Sequence, residues 1–178
     1  MSTWIVFQRA VNVGGRKYPM AELRQMLTEA GYGDVATHIQ TGNIRLTSPL
    51  RSQARLEKDL EALFEADRGF DVGTVAMAPA ELGAVAAEAD EVVAELGAPE
   101  FGHYVELLRS PPSAEATAVI EEPRHPGQRA VVRGRAVHLL FDLPFHQAKP
   151  PSAAVKRALG VSTNRNVTVV RALVQKWC

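Results

Sequence analysis

The chain has 178 residues, 46% of them hydrophobic, enough to bury a real core in one domain or two small intertwined halves. Formal net charge is zero, no window approaches the roughly eighteen uninterrupted apolar residues of a membrane span, and Met1-Ser2-Thr3-Trp4 lacks the pattern of a signal peptide, so a cytoplasmic protein with no membrane partner is expected. The single cysteine, Cys178, excludes an intrachain disulfide and reads as a chance terminal residue.

A strand over 3–10, built on the apolar run Trp4-Ile5-Val6-Phe7, opens the chain. It leads through Arg9, Asn12, Gly14, Gly15, Arg16 and Lys17 into a helix over 19–30, where Met20, Leu23, Met26, Leu27 and Ala30 form one stripe and Gly31 ends it. With Pro19 as first helical residue the capping position falls on Tyr18, whose phenol cannot hydrogen-bond the next N–H groups as Ser, Thr, Asp or Asn would. Those donors, with Arg16 and Lys17, are then open to an anion; a tight turn with solvated charges is the plainer reading of the same residues. The GxxxxGK[ST] spacing of a P-loop is absent.

Strands over 35–40 and 43–48 follow as a hairpin turning at Thr41-Gly42-Asn43, with apolar residues alternating as in a sheet with one buried face. A helix over 52–66, capped by Ser52 and closed by Gly69, and a strand over 70–77 complete βαββαβ, the order of a ferredoxin-like half. An acidic helix over 79–96 links this lobe, residues 1–78, to a second lobe over 99–178. There the strand His103–Arg109, a helix over 113–122, strands over 128–132 and 135–141 and a helix over 151–159 give βαββα. The expected architecture is therefore α+β with two related lobes.

Charge is unevenly spread along the chain: residues 1–60 carry 8 Lys+Arg and 5 Asp+Glu, residues 61–122 carry 2 and 14, and residues 123–178 carry 10 and 1. Mutual neutralisation of the acidic middle and basic end is preferred to separate patches. The basic last third nevertheless gives the alternative reading, a nucleic-acid-binding or protein-interaction module, although no RRM, KH or helix-turn-helix signature organises it. The five histidines show no metal-ligand spacing, no G-x-S-x-G or C-x-x-C occurs, and no general acid or base is assigned.

The stretch RAVNVGGRKYPMAELR, residues 9–24, resembles the opening signature of the DUF1697 family, bacterial proteins with a domain of unknown function. HIQTGNIRLTSP at 38–49, FDVGTV at 70–75 and ALGVSTNRNVTVV at 158–170 are similar too. The family usually has Gly where Ala10 stands, Ser at Thr41 and Trp at Val167. The resemblance implies a last helix over 164–176, supported by the stripe Val167, Val170, Leu173 and Val174, and it implies no established reaction.

Three polar segments remain as candidate binding residues: Arg9, Asn12, Gly14, Gly15, Arg16 and Lys17 in the first loop; Gln40, Thr41, Gly42 and Asn43 in the hairpin turn; and Arg165 with Asn166 before the last helix. The expected ligand is a small anion, a nucleotide or a phosphate or carboxylate metabolite. Turn and cap chemistry is the competing explanation for each segment.

Overall fold

A computed structural model describes all 178 residues, Met1 to Cys178. The chain divides into two compact units, Met1–Leu82 with Lys176–Cys178, and Gly83–Gln175. No helix is long and apolar enough to cross a membrane.

The first unit contains β1 (Ser2–Gln8), α1 (Met20–Glu29), β2 (Gly33–His38), β3 (Asn43–Ser48), α2 (Gln53–Arg68) and β4 (Thr74–Met77). Its sheet has the order β2-β3-β1-β4, every neighbour antiparallel. Trp4 pairs with Leu46 and Val6 with Ile44, and these four side chains meet Leu23 and Leu27 of α1 and Leu56, Leu60 and Phe64 of α2 in one core. Ile5 and Phe7, on the other face of β1, are also fully buried. Burial on both faces explains why β1 reads as a continuous apolar run instead of an alternation.

The helix ends follow local chemistry. Ser52 Oγ accepts from Arg55 N–H, and Gly69, at φ 72°, closes α2 in the left-handed region. At α1 the expectation is corrected by one residue: Met20 is the first helical residue, Pro19 occupies the capping position, and no side chain caps it. Tyr18 is not at the cap but in the core, fully buried and edge-on to Phe64 at 5.9 Å. Residues 70–73, expected as strand, form a loop, and β4 begins at Thr74. Its outward N–H groups are satisfied by α2, because Thr74 N–H donates to Glu61 Oε1 at 2.9 Å and Ala76 N–H to Glu57 Oε1 at 2.8 Å. Two carboxylates thus cover an edge strand that would otherwise be open to pairing.

In the second unit lie β5 (Gly102–Leu108), α4 (Ala114–Glu121), β6 (Gln128–Arg133), β7 (Ala136–Phe141), α5 (Ala153–Leu159) and β8 (Ser162–Asn166), and after them α6 (Val167–Trp177) as far as Gln175. α3 (Pro79–Leu96) enters this unit from Gly83 onward. The sheet order β6-β7-β5-β8 repeats that of the first unit. Ser162–Asn166 corrects the expected start of the last helix: it is a strand, paired antiparallel with β5 from Leu108↔Ser162 to Tyr104↔Asn166, so this lobe has one strand more than the sequence pattern suggests. Asn166 then ends the strand and caps α6, its Oδ1 accepting from Thr168 N–H at 2.9 Å. On one sheet face Val131 and Leu140 pack on Val92 of α3; on the other, Leu108 and Val137 pack on Ile120 of α4, with Leu159 of α5 beside them.

Candidate functional site

The loop after β1 is unusual in its backbone. Ala10, Asn12, Gly14 and Gly15 all have positive φ, at 53°, 56°, 57° and 84°. The two glycines suit that region, and Asn tolerates it better than most residues. Asn12 is what closes the loop: its Oδ1 accepts from Tyr18 N–H at 2.8 Å, and its Nδ2 donates to Tyr18 O at 3.1 Å and Gln40 O at 2.7 Å. The backbone adds Asn12 N–H to Arg16 O, Arg16 N–H to Val13 O and Lys17 N–H to Gly15 O. Arg16 lies over the Phe70 ring, 4.7 Å from its centroid, and donates to the carbonyl of Asp71, whose carboxylate is 3.8 Å away. Arg9, Gly14, Gly15 and Lys17 are exposed.

The structure brings the hairpin turn to this loop, because the end of β1 and the start of β3 are antiparallel neighbours. Gln8 N–H donates to Gly42 O at 2.8 Å. Gly42 must be glycine: φ is 71°, and a Cβ there would stand 2.7 Å from Gln8 Cβ and 2.8 Å from Val11 Cγ2. Asn43 is fully buried, donating to His38 O at 3.1 Å and Thr41 Oγ1 at 2.9 Å; Gln40 and Thr41 are exposed. Arg165 and Asn166 belong to the other unit. Arg165 is only 7% exposed, donates to Thr163 Oγ1 at 2.8 Å, and is pushed down to about 10 by burial, with Glu106 opposing the shift.

A concave feature of the second unit was not anticipated from sequence. Between the sheet of the second unit and helices α4 and α5 lies a cavity of about 410 Å³, within the range of small-molecule sites. Ile120, Val137, Leu139, Val155 and Leu159 give it apolar walls, and Arg124, His125 and Lys149 lie among its polar lining. Phe145, 57% exposed, packs at 4.9 Å on Tyr104 and at 5.5 Å on Phe141, extending the aromatic side of that wall. Arg124 is ion-paired to Glu122 and Arg129 to Asp142; Lys149 contributes its backbone to Gln128 and is exposed. Inside stand Glu106 of β5 and Asn164 of β8. Ser162 Oγ donates to Glu106 Oε1 at 2.6 Å and Asn164 Nδ2 to Glu106 Oε2 at 3.1 Å. The sequence did carry a signal for Glu106: in Tyr104-Val105-Glu106-Leu107-Leu108 it is the charged residue on the same strand face as Leu108, a core position.

On the opposite sheet face His103 Nε2 and His138 Nδ1 are 3.0 Å apart, a pair 35 residues distant in sequence that spacing did not suggest. Glu88 Oε2 lies 3.7 Å from His138 Nε2. Burial holds the His138 imidazole down to about 4, helped by His103 and Arg133, and burial also lowers His103. Two ion pairs join acidic α3 to the basic last third, Arg133 with Glu95 at 2.6 Å and Arg171 with Asp90.

A sequence model of the family described as "Protein of unknown function (DUF1697)" matches residues 1–138. The chain belongs to the DUF1697 family. Comparison with curated proteins gives no match. Among solved structures, the conserved bacterial protein SP0830 from Streptococcus pneumoniae is similar, with TM-score 0.77 and 20% identity over 99% of this chain and 98% of that one. That likeness carries the fold, two lobes each with a four-stranded antiparallel sheet, to this member of DUF1697.

Proposed function

We propose that this DUF1697 protein binds a small amphipathic molecule in the second lobe, with an apolar body between the sheet and α4 and α5 and an acidic group toward Lys149 and Arg124. The observation that carries the reading is the cavity of about 410 Å³ with apolar walls and a few convergent polar groups. The loop after β1 supports an anion site less strongly, since the backbone N–H groups of Asn12, Arg16, Lys17 and Tyr18 have internal partners and Arg16 is engaged by Asp71; Arg9 and Lys17 are its accessible cations. No reaction is proposed.

Thermal unfolding in a screen of nucleotides, sugar phosphates and apolar carboxylates tests the reading. A ligand at a hundred times its Kd adds about 2.7 kcal/mol, which raises Tm by roughly 5–10 °C for a protein of this size. Stabilisation that disappears when Leu159→Trp fills the cavity supports it. A flat melting point across the whole screen removes it.

A further inference from the structure

Glu106 and Asn164 supply the cavity's polar lining from β5 and β8, while its cationic and amide donors, Arg124, Arg129, Lys149 and Gln128, come from other segments. Glu106 receives Ser162 O–H and Asn164 N–H, which orients the Asn164 amide with its nitrogen on the carboxylate. Glu106 and Asn164 both line the cavity, and the Asn164 amide oxygen is the group not used in this bond. Ser162 and Asn164 are neutral, Arg165 of β8 acts on Glu106 electrostatically, and Ile120, Val137, Leu139, Val155 and Leu159 form the apolar part of the walls. A half-buried carboxylate held by two neutral donors still has lone pairs to offer a cation or strong donor. Two donors fixed on β8 hold it ready for that partner.

Sheet register places this acceptor pair well away from the row containing Gln128. Gln128 pairs with Phe141 and Phe141 with Gly102, whereas Glu106 lies four residues further along β5 and pairs with Val137 and Asn164. Four strand residues span roughly 13 Å.

From these relationships we infer that Glu106 and Asn164 form the recognition point for a protonated amine. The ligand class is then an elongated zwitterion: ammonium on Glu106, apolar body along Val137 and Leu139, acidic group at the Lys149 side. This inference rests on the cavity reading above and adds the charge of the buried end.

The test uses matched probes with one phenylalkyl body: 3-phenylpropylamine, 3-phenylpropionate, 3-phenylpropanol and 4-(3-aminopropyl)benzoate, whose ammonium and carboxylate lie at opposite ends, titrated against the methyl-labelled full chain by NMR. The Val137, Leu139 and Leu159 methyl groups report on the cavity. The expected result is that amine-bearing probes shift these signals at least about tenfold more tightly than the alcohol, and that Glu106→Gln, which keeps the side-chain volume and one acceptor oxygen for Asn164 while its NH2 can donate to the Ser162 hydroxyl, removes the preference. Leu159→Trp should abolish binding of every probe. Cavity binding that ignores the amine, or a preference that survives Glu106→Gln, overturns the inference and leaves the cavity reading standing. Shifts that persist in Leu159→Trp, or no shift with any probe at millimolar concentration, overturn both.

Discussion

The carboxamide of Asn12 donates to the carbonyl of Gln40 at 2.7 Å and so joins the loop after β1 to a hairpin turn 28 residues further on. The same side chain both accepts from and donates to the Tyr18 backbone. Three hydrogen bonds from one residue that also sits at positive φ make it the fastener of this end of the sheet. Asn12→Ala is expected to cost about 2 kcal/mol, a fall in Tm of roughly 4–8 °C. Asn12→Asp keeps the acceptor for Tyr18 N–H but sets a carboxylate oxygen against the Tyr18 and Gln40 carbonyls, so thermal denaturation should show a loss at least as large as that of the alanine variant.

Ala10 has φ 53°, where a Cβ is unfavourable, and stands where the family usually has Gly. Ala10→Gly should therefore stabilise the protein, by up to about 1 kcal/mol after the added chain entropy of glycine is allowed for. Ala10→Val should destabilise it. Urea midpoints of the two variants moving in the same direction would contradict the account.

Glu57 is 2% exposed and accepts from Ala76 N–H and from Gln53 Nε2, each at 2.8 Å. Glu57→Ala strands a backbone donor on the edge strand and should cost about 3 kcal/mol. Glu57→Gln retains an acceptor and should cost less. Hydrogen exchange at the Ala76 amide should accelerate in the alanine variant ahead of exchange in β1.

The His103–His138 contact makes stability depend on acid. Burial lowers the folded-state value of His138 from 6.5 to about 4, so the unfolded chain binds a proton first as pH falls. Stability from this group is complete above about pH 6.5, declines as pH falls toward 4, and the loss amounts to about 3 kcal/mol. His103, also lowered, adds to the loss. Glu88, raised by burial with Glu91 adding and Arg133 opposing, takes up its proton more readily in the folded state and offsets part of the decline at the acid end. Urea unfolding from pH 7.5 to 4 should show this slope, and His138→Gln should flatten it.

Most of the architecture is legible in the residues. Trp4-Ile5-Val6-Phe7 reads as a buried strand and is one, Ser52 and Gly69 bracket α2 as their chemistry requires, and Gly42 sits at a turn that admits no side chain. Local rules reach these features because each depends on neighbours in sequence. Tyr18 and β8 escaped the same rules for one reason: a tyrosine beside a helix start is drawn into the core by Phe64, and Ser162-Thr163-Asn164-Arg165-Asn166 becomes a strand only because β5 supplies a backbone partner. Intrinsic preference in so polar a segment is weak, and pairing decides it.

By itself, the sequence determined two lobes, their helices and hairpins, and the absence of a recognisable catalytic motif, since periodicity and turn chemistry are properties of short stretches. Tertiary structure alone decided which polar groups are committed and which face open space. It closed the basic loop on Asn12, set His103 against His138, and placed Glu106 with Asn164 in an apolar cavity. Each of those outcomes joins residues far apart in the chain, and such distances are fixed by sheet register and helix packing, which no single segment encodes.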